Sequence, residues 1–155
     1  MKKVVYLANA YGFSMHQKAS LLPQVVERLE YLDLEVWEPF ARRSAEMGVL
    51  EAKGWARKIA LANAGDVIRC DGVVAIVNGT PPDEGVCVEL GMAFALGKPC
   101  WLFRDDFRRC SDSDEFPLNL MLLAGLPGDW RLRYYNNVNQ LGCDGTDLAK
   151  WAKGV

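Results

Sequence analysis

The sequence predicts an α/β protein in which five parallel strands form one sheet covered by helices on both faces. Three observations carry that reading. Short β-rich apolar runs alternate with helical stretches along nearly the whole chain, and this alternation requires crossover connections and parallel strands. The 155 residues suit a single core, so residues 1–155 are read as one domain. Half of the residues are apolar and a quarter charged, the balance of a water-soluble domain.

The elements follow in order. Val4–Ala8 is a brief apolar run and reads as a buried strand. The lysines before it resemble the start of a signal peptide, but the run is short and ends in polar residues, as a strand does. Residues 9–16 form a loop containing Gly12. The spacing predicts a helix over 18–32, with Leu21, Val25, Leu29 and Leu32 on one stripe and Pro23 in the first turn. Residues 34–37 form a second strand, stopped by Pro39, and 40–50 read as irregular. A helix over 51–69 carries Trp55, Ile59, Ala62 and Asp66 at helical intervals. The β-branched run 72–77 is a third strand. A helix over 83–96 follows, with Gly97 just past its end and Pro99 beyond. Residues 100–103 form a fourth strand and 104–116 a charged, mobile loop. A short helix over 117–124, a fifth strand over 131–135 and a last helix over 144–153 complete the chain.

Charge and composition exclude several functions. A formal net charge of −2 with no long basic run argues against nucleic acid as a partner, since phosphate binding needs a positive patch. Arg42-Arg43 and Arg108-Arg109 read as solvated loop charges. No apolar run approaches the ~20 residues that span a bilayer. The five cysteines are odd in number and contain no CxxC pair, which argues against a zinc site and a disulfide framework. Reduced thiols in a cytoplasmic protein are the expectation. His16 is the single histidine, so a multi-histidine metal site is excluded, and His16 itself reads as a surface or capping residue. Neither metal nor cofactor is expected.

In a parallel sheet, ligands bind at the carboxyl ends of the strands. That rule selects the loops after Ala8, Trp37, Val77 and Phe103. The stretch GTPPDEGVCVELGMAFALGKP, residues 79–99, is the most informative. Thr80 caps its helix with Asp83 at the third position, or Asp83 is itself the cap; both remain open beside a functional Asp83. Val86, Leu90, Ala93, Phe94 and Gly97 make the stripe facing the sheet. Glu89 lies on the adjoining row with Gly85, Met92 and Leu96, at the border of the buried face, and Gly85 leaves space beside its carboxylate. A border glutamate is ordinarily ion-paired. Asp71 precedes its strand and so stands at the wrong end of the sheet, where a structural role is favoured. Several carboxyl groups in one pocket suit a glycosyl bond, which needs a carboxylate for the sugar carbon and an acid for the leaving group.

Together, Tyr6 in VVYLANAYGF, Asp71 in CDGVVAIVNGT, Asp83 and Glu89 in PPDEGVCVELGMAFALGKP, and Asn119 in PLNLML resemble the nucleoside 2-deoxyribosyltransferase family over residues 3–125. The resemblance implies a doubly wound, flavodoxin-like or Rossmann-like fold. It implies exchange of the purine or pyrimidine base of a 2′-deoxyribonucleoside with a free nucleobase, in nucleoside salvage. It makes Glu89 the nucleophile, Tyr6 the residue that holds it, and Asp71 and Asp83 the pair that handle base protonation and substrate binding. Asn119 is then lent by a neighbouring subunit to the sugar site of a dimer-based homo-oligomer, hexameric in many members. The chain ends WAKGV, without the aromatic tail that reaches a neighbouring site in other members. Segments 40–50 and 104–116 also depart from the family pattern. Tyr11 and Phe13 in the first loop, and Trp37, are candidates to stack on the base, or are plain packing.

Two other functions compete. A 2′-deoxynucleoside 5′-monophosphate N-glycosidase would use the same glutamate but needs phosphate donors, and the first loop NAYGFSMHQK has one Gly, one Ser and no Arg. A non-catalytic nucleotide-binding module would have no reason to retain Glu89, both aspartates and Tyr6. A dinucleotide-binding protein is disfavoured by the absence of GxGxxG in the first turn.

Overall fold

The computed structural model describes residues 1–43 and 53–155. Five strands form one parallel sheet: β1 (Val4–Ala8), β2 (Glu35–Trp37), β3 (Gly72–Ile76), β4 (Cys100–Phe103) and β5 (Tyr134–Tyr135). Their order is β2-β1-β3-β4-β5, with Tyr6 beside Val73 and Ala75 beside Leu102. The strand order reverses between β1 and β3, so the crevice at their carboxyl ends is where a ligand is expected to sit.

Alternation along the strands sends side chains to two cores. Val5, Leu7, Val74, Ile76, Trp101 and Phe103 pack on one face with Val25 and Leu29 of α1 (Leu22–Tyr31) and Leu148 of α6 (Asp147–Lys153). Tyr6, Ala8, Val73, Ala75 and Leu102 pack on the other face. Their partners there are Val67 of α3 (Trp55–Arg69) and Val86, Leu90 and Ala93 of α4 (Glu84–Ala95). Side chains of a strand alternate between faces. Tyr6 therefore shares a face with Ala8, opposite Val5 and Leu7, and packing sets that face against α3 and α4.

The structure revises several boundaries. Gln17–Leu21 winds as a π-helical turn before α1. The wider turn rotates the register, so Leu22 replaces Leu21 on the buried stripe while Leu21 is exposed. Pro23 does sit in the first turn of α1. β2 ends before Pro39 as expected, but the residues that follow are not irregular: Pro39 opens a short helix, α2 (Pro39–Arg43), as proline does at a helix start. Residues 44–50 of the expected irregular segment, and 51–52 of the expected helix start, lie outside the described residues. The expected helix over 117–124 is a 3-10 turn, Leu120–Leu123. The fifth strand is only two residues long, because Trp130–Arg133 curls into another 3-10 turn. A four-residue helix, α5 (Val138–Leu141), has no counterpart in the sequence reading. Gly97 ends α4 with φ +67, and Lys98 N–H bonds Ala93 O at 2.9 Å.

Gly12 marks a close approach. A Cβ at this position would stand 2.0 Å from the Phe40 ring, and Phe40 in turn meets Phe13 edge-on at 4.9 Å. Gly12→Ala is expected to drive Phe40 from its seat and cost about 1–3 kcal/mol by overpacking. Urea unfolding at constant pH measures it, and an unchanged midpoint would contradict this packing.

The C-terminal helix lies away from the carboxyl edge. Trp151 packs on Trp101 at 4.7 Å and beneath Gly72, and Lys3 Nζ donates to its carbonyl. Gly72 and Lys3 belong to the amino ends of β3 and β1. Among the described residues, no helix is long and apolar enough to cross a membrane.

Candidate active site

Asp83 settles which residue caps α4. Its backbone is extended and its Oδ1 accepts the Val86 N–H at 3.1 Å. Such a cap satisfies one of the orphan amides at the helix start and suits the positive end of the helix dipole. The helix then runs back along the sheet from the carboxyl edge, carrying Glu89 inward in its second turn. There Tyr6 Oη donates to Glu89 Oε1 at 2.6 Å, a short charge-assisted bond.

Burial controls the chemistry of this pair. Tyr6 is fully enclosed. Burial, then the Glu89 charge, hold its hydroxyl far above the usual tyrosine range, so the hydroxyl serves as a donor only. Burial also pushes Glu89 up to about 7; the Tyr6 bond opposes the rise and the Asp83 charge adds to it. Glu89 is thus a half-buried carboxyl, poised near neutrality, without a cationic partner among the described residues. That departs from the ion-paired border glutamate.

A second polar group stands behind Tyr6. Asp66, fully buried on α3, accepts from Arg42 Nε at 2.9 Å, Arg43 Nη2 at 2.5 Å and Arg69 Nη2 at 2.6 Å. Burial alone would raise its pKa, but the three guanidinium groups outweigh burial and leave it below the usual range. Arg43 also donates to Asn63 Oδ1 at 3.2 Å, and Arg42 lies 4.2 Å over the Trp37 ring. Both Asp66 and Arg43 act electrostatically on Tyr6. Arg42 and Arg43 are therefore not solvated loop charges: they fasten α2 to α3. Beside them, buried Glu38 accepts from Asn9 Nδ2 at 2.9 Å and from the Ala41 N–H at 2.7 Å.

Residues 5–121 match the nucleoside 2-deoxyribosyltransferase family. The chain belongs to that family. Solved structures share its fold. The 2-deoxyribosyltransferase of Bacillus psychrosaccharolyticus is 22% identical, with 90% of each chain covered and a TM-score of 0.70. A conserved protein of Enterococcus faecalis V583 is 23% identical over 99% of both chains, also with a TM-score of 0.70. The 2-desoxiribosyltransferase of Leishmania mexicana is 24% identical, covering 87% of this chain and 91% of its own, with a TM-score of 0.65. No curated protein matches the chain in sequence.

In this nucleoside 2-deoxyribosyltransferase family member, the remaining expected site residues are scattered. Asp71 is exposed at the amino edge of the sheet, where its Oδ2 accepts the Val4 N–H at 2.7 Å. The five-residue strand β3, about 16 Å long, separates that edge from the one where Asp83 caps α4. The structure does not bring Asp71 to the pair within one subunit. Its place is the structural one that its sequence position indicates. Tyr11 is also corrected: it is buried in the α1-side core, its hydroxyl accepting from Asn78 Nδ2 at 2.7 Å, so its ring has no open face for a base. Phe13 is 77% exposed at the mouth of the first loop. The space Gly85 provides is beside Asp83: a Cβ there would meet only Asp83 Oδ1, at 3.1 Å.

Asn119 lies on the far side of α4. It caps the Leu120–Leu123 turn by accepting the Met121 N–H at 3.0 Å. It lines an apolar groove of about 560 Å³ with Cys87, Val88, Gly91, Phe94 and Met121. Of those α4 positions, Cys87, Gly91 and Phe94 lie on the opposite helix face from Glu89. Phe94, expected on the sheet-facing stripe, is half exposed in this groove instead. Sequence reasoning missed Asp66 as an anchor, although its charge within the apolar stripe of α3 was the available signal. Asn9, Glu38 and Asn63 carried no such signal. The described residues contain no group of three or more His, Cys, Asp or Glu side chains placed to hold a metal.

Proposed function

We propose that the protein exchanges the base of a 2′-deoxyribonucleoside through a covalent deoxyribosyl-Glu89 intermediate. The observation that carries this reading is the half-buried Glu89 carboxyl with Tyr6 Oη at 2.6 Å, beneath the Asp83 cap of the same helix. Glu89 Oε2 or Oε1 attacks C1′, the C1′–N bond breaks, and its electron pair leaves with the base. Asp83 supplies the proton to a ring nitrogen of the departing base. The second base then attacks C1′ from the vacated face, Asp83 takes its proton, and the Glu89–C1′ bond breaks. Two inversions give net retention, as in retaining glycosidases. The absence of a 2′-hydroxyl eases charge development at C1′. Tyr6 fixes the Glu89 rotamer so that one oxygen faces the sugar.

Asn119 completes the sugar site of a neighbouring subunit in a dimer-based homo-oligomer, because its own α4 stands between it and Glu89. The apolar groove around Asn119 supports that arrangement. Phe13 and Trp37, flanking the β1 and β2 ends, border the base. Salvage of nucleosides in the cytoplasm is the fitting role.

Mixing the protein with 2′-deoxyinosine and adenine tests this directly. Deoxyadenosine and hypoxanthine are expected. Free base alone would replace transfer by hydrolysis, and no product from any nucleoside or monophosphate would leave only a binding module.

A pH dependence follows. Glu89 must be ionised to attack, so kcat/KM is expected to fall as pH drops below about 7. The Tyr6 bond lowers the Glu89 pKa, so Tyr6→Phe raises it. The variant's acid limb should move to higher pH, with a larger loss at pH 6 than at pH 8. An acid limb that moves down, or not at all, contradicts the assignment.

A further inference from the structure

Asp83 and the first turn of α4 are delivered by the loop that leaves β3, and one buried cation grips that loop. Arg104, the residue after β4, is 1% exposed. Its N–H donates to Tyr135 O at 2.8 Å, which anchors it at the end of β5. Its Nη1 donates to Val77 O and, at 2.8 Å, to Gly79 O. Its Nη2 donates to Arg108 O at 2.7 Å and lies 3.8 Å from Asp106 Oδ2. That same carboxylate accepts the Gly79 N–H at 3.2 Å and pairs with Arg108. Asn78, between the two gripped carbonyls, is tied across to the same loop, with Oδ1 accepting the Asp105 N–H at 3.1 Å. The expected mobile loop over 104–116 is thus stitched to the β3–α4 loop.

An enclosed guanidinium bonded chiefly to neutral carbonyls is costly, and an apolar side chain would fill the space at lower cost. Arg104 Nε has no hydrogen-bond partner among the described residues, so the cation is not optimised for stability. What it supplies is direction. A rigid planar fork of donors holds two carbonyls of one loop and one of another at fixed positions around it. Val77 and Gly79 are the start of the segment that ends at the Asp83 cap.

We propose that Arg104 is a positioning residue for the reaction: it orients the 77–83 loop so that the Asp83 carboxyl meets the ring nitrogen of the departing base. This rests on the base-exchange reading above. Arg104 touches neither substrate nor Glu89, and its effect passes through Asp83.

The test compares two leaving groups. The base of 2′-deoxyguanosine must be protonated as it departs. The base of 7-methyl-2′-deoxyguanosine already carries that positive charge and leaves as a neutral molecule. The rate of base release from each is measured in a single turnover, with enzyme in excess and no acceptor present, so that proton transfer from an incoming base plays no part, for the wild type, Arg104→Lys, Arg104→Met and Glu89→Gln. Both Arg104 variants are expected to lose about 10- to 100-fold in the rate of base release from 2′-deoxyguanosine, the size of effect that a small misplacement of an acid produces. They should stay within about twofold of wild type on the methylated substrate, which needs no acid. Glu89→Gln should lose both. Equal losses on the two substrates, or no loss on either, overturn the proposal while leaving base exchange intact. Should Arg104→Met fail to give a cooperative melt, Arg104→Lys, which keeps the charge but not the fork, decides by the same comparison. A wild type inactive on every deoxynucleoside overturns the base-exchange reading, and this proposal with it.

Discussion

Glu89→Gln is expected to abolish base exchange while making the fold more stable at neutral pH. Turnover should fall on the order of 10⁴-fold or more, as for other residues without which the covalent step cannot occur. Glutamine keeps the shape and still accepts the Tyr6 hydroxyl, now 2.6 Å from Glu89 Oε1, but its amide does not attack C1′. The stability gain comes from proton linkage. In the folded protein burial raises Glu89 from 4.5 to about 7. In the window between those values the folded state retains a proton that the unfolded chain has lost. Stability from this group therefore falls as pH rises through the window and is constant above it. The loss is about 3 kcal/mol at pH 8, and glutamine, which never ionises, avoids it. Urea unfolding of both proteins at pH 5 and pH 8 measures the effect. The variant should be the more stable at pH 8, with the gap closing towards pH 5. An equal pH response in the two proteins would show that Glu89 is not the strained carboxyl described above. A site that trades stability for reactivity is a familiar outcome for buried nucleophiles.

Asp66→Ala is the largest stability loss expected. Asp66 is fully buried and shared by Arg42, Arg43 and Arg69. Removing it takes away the buried carboxylate that Arg42 and Arg43 of α2 share, and breaking such a buried pair costs about 3–5 kcal/mol. Asp66→Asn keeps the shape and one acceptor oxygen and should lose less. Because the three arginines hold its pKa below the usual range, the Asp66 contribution is present above the unfolded-state value and disappears as pH falls through the lower folded value. Asp66→Asn is therefore expected to flatten the acid side of the stability profile. The check is denaturant unfolding from pH 3 to pH 7. A midpoint in Asp66→Ala within error of wild type would mean that α2 is held by something else. The same anchoring reaches the site, since Asp66 and Arg43 flank Tyr6 electrostatically and Arg42 covers a face of Trp37.

The predicted architecture rests on local signals that survive folding. Alternating β-branched runs and helical stripes encode strands and helices because burial repeats every second or every 3.6 residues. The failures are equally local in cause. The π-turn at Gln17–Leu21 shifts a stripe by one residue, as no periodicity reports. The fifth strand is short because the chain bends into a 3-10 turn through Trp130–Arg133, and two residues leave no alternation to detect. Phe94 belongs by spacing to the buried stripe, but α4 has a second apolar face, so hydrophobicity alone does not say which one meets the sheet.

For the site, the sequence by itself determined the odd carboxylate: Glu89 stands out because a charge interrupts an apolar helical row six residues after Asp83. It also determined that Tyr6, by strand parity, shares a face with Ala8 and that Asp71 precedes its strand. Only the tertiary structure decided which charges meet. Tyr6 and Glu89 are 83 residues apart and joined by one hydrogen bond; Asp66 draws in two arginines from a different helix; Arg104 ties two loops at the ends of separate strands. Spacing fixes the face of an element on which a residue lies. Contact across elements depends on how sheet and helices pack, and that packing sets both the burial that raises Glu89 and the distance that leaves Asp71 at the other edge.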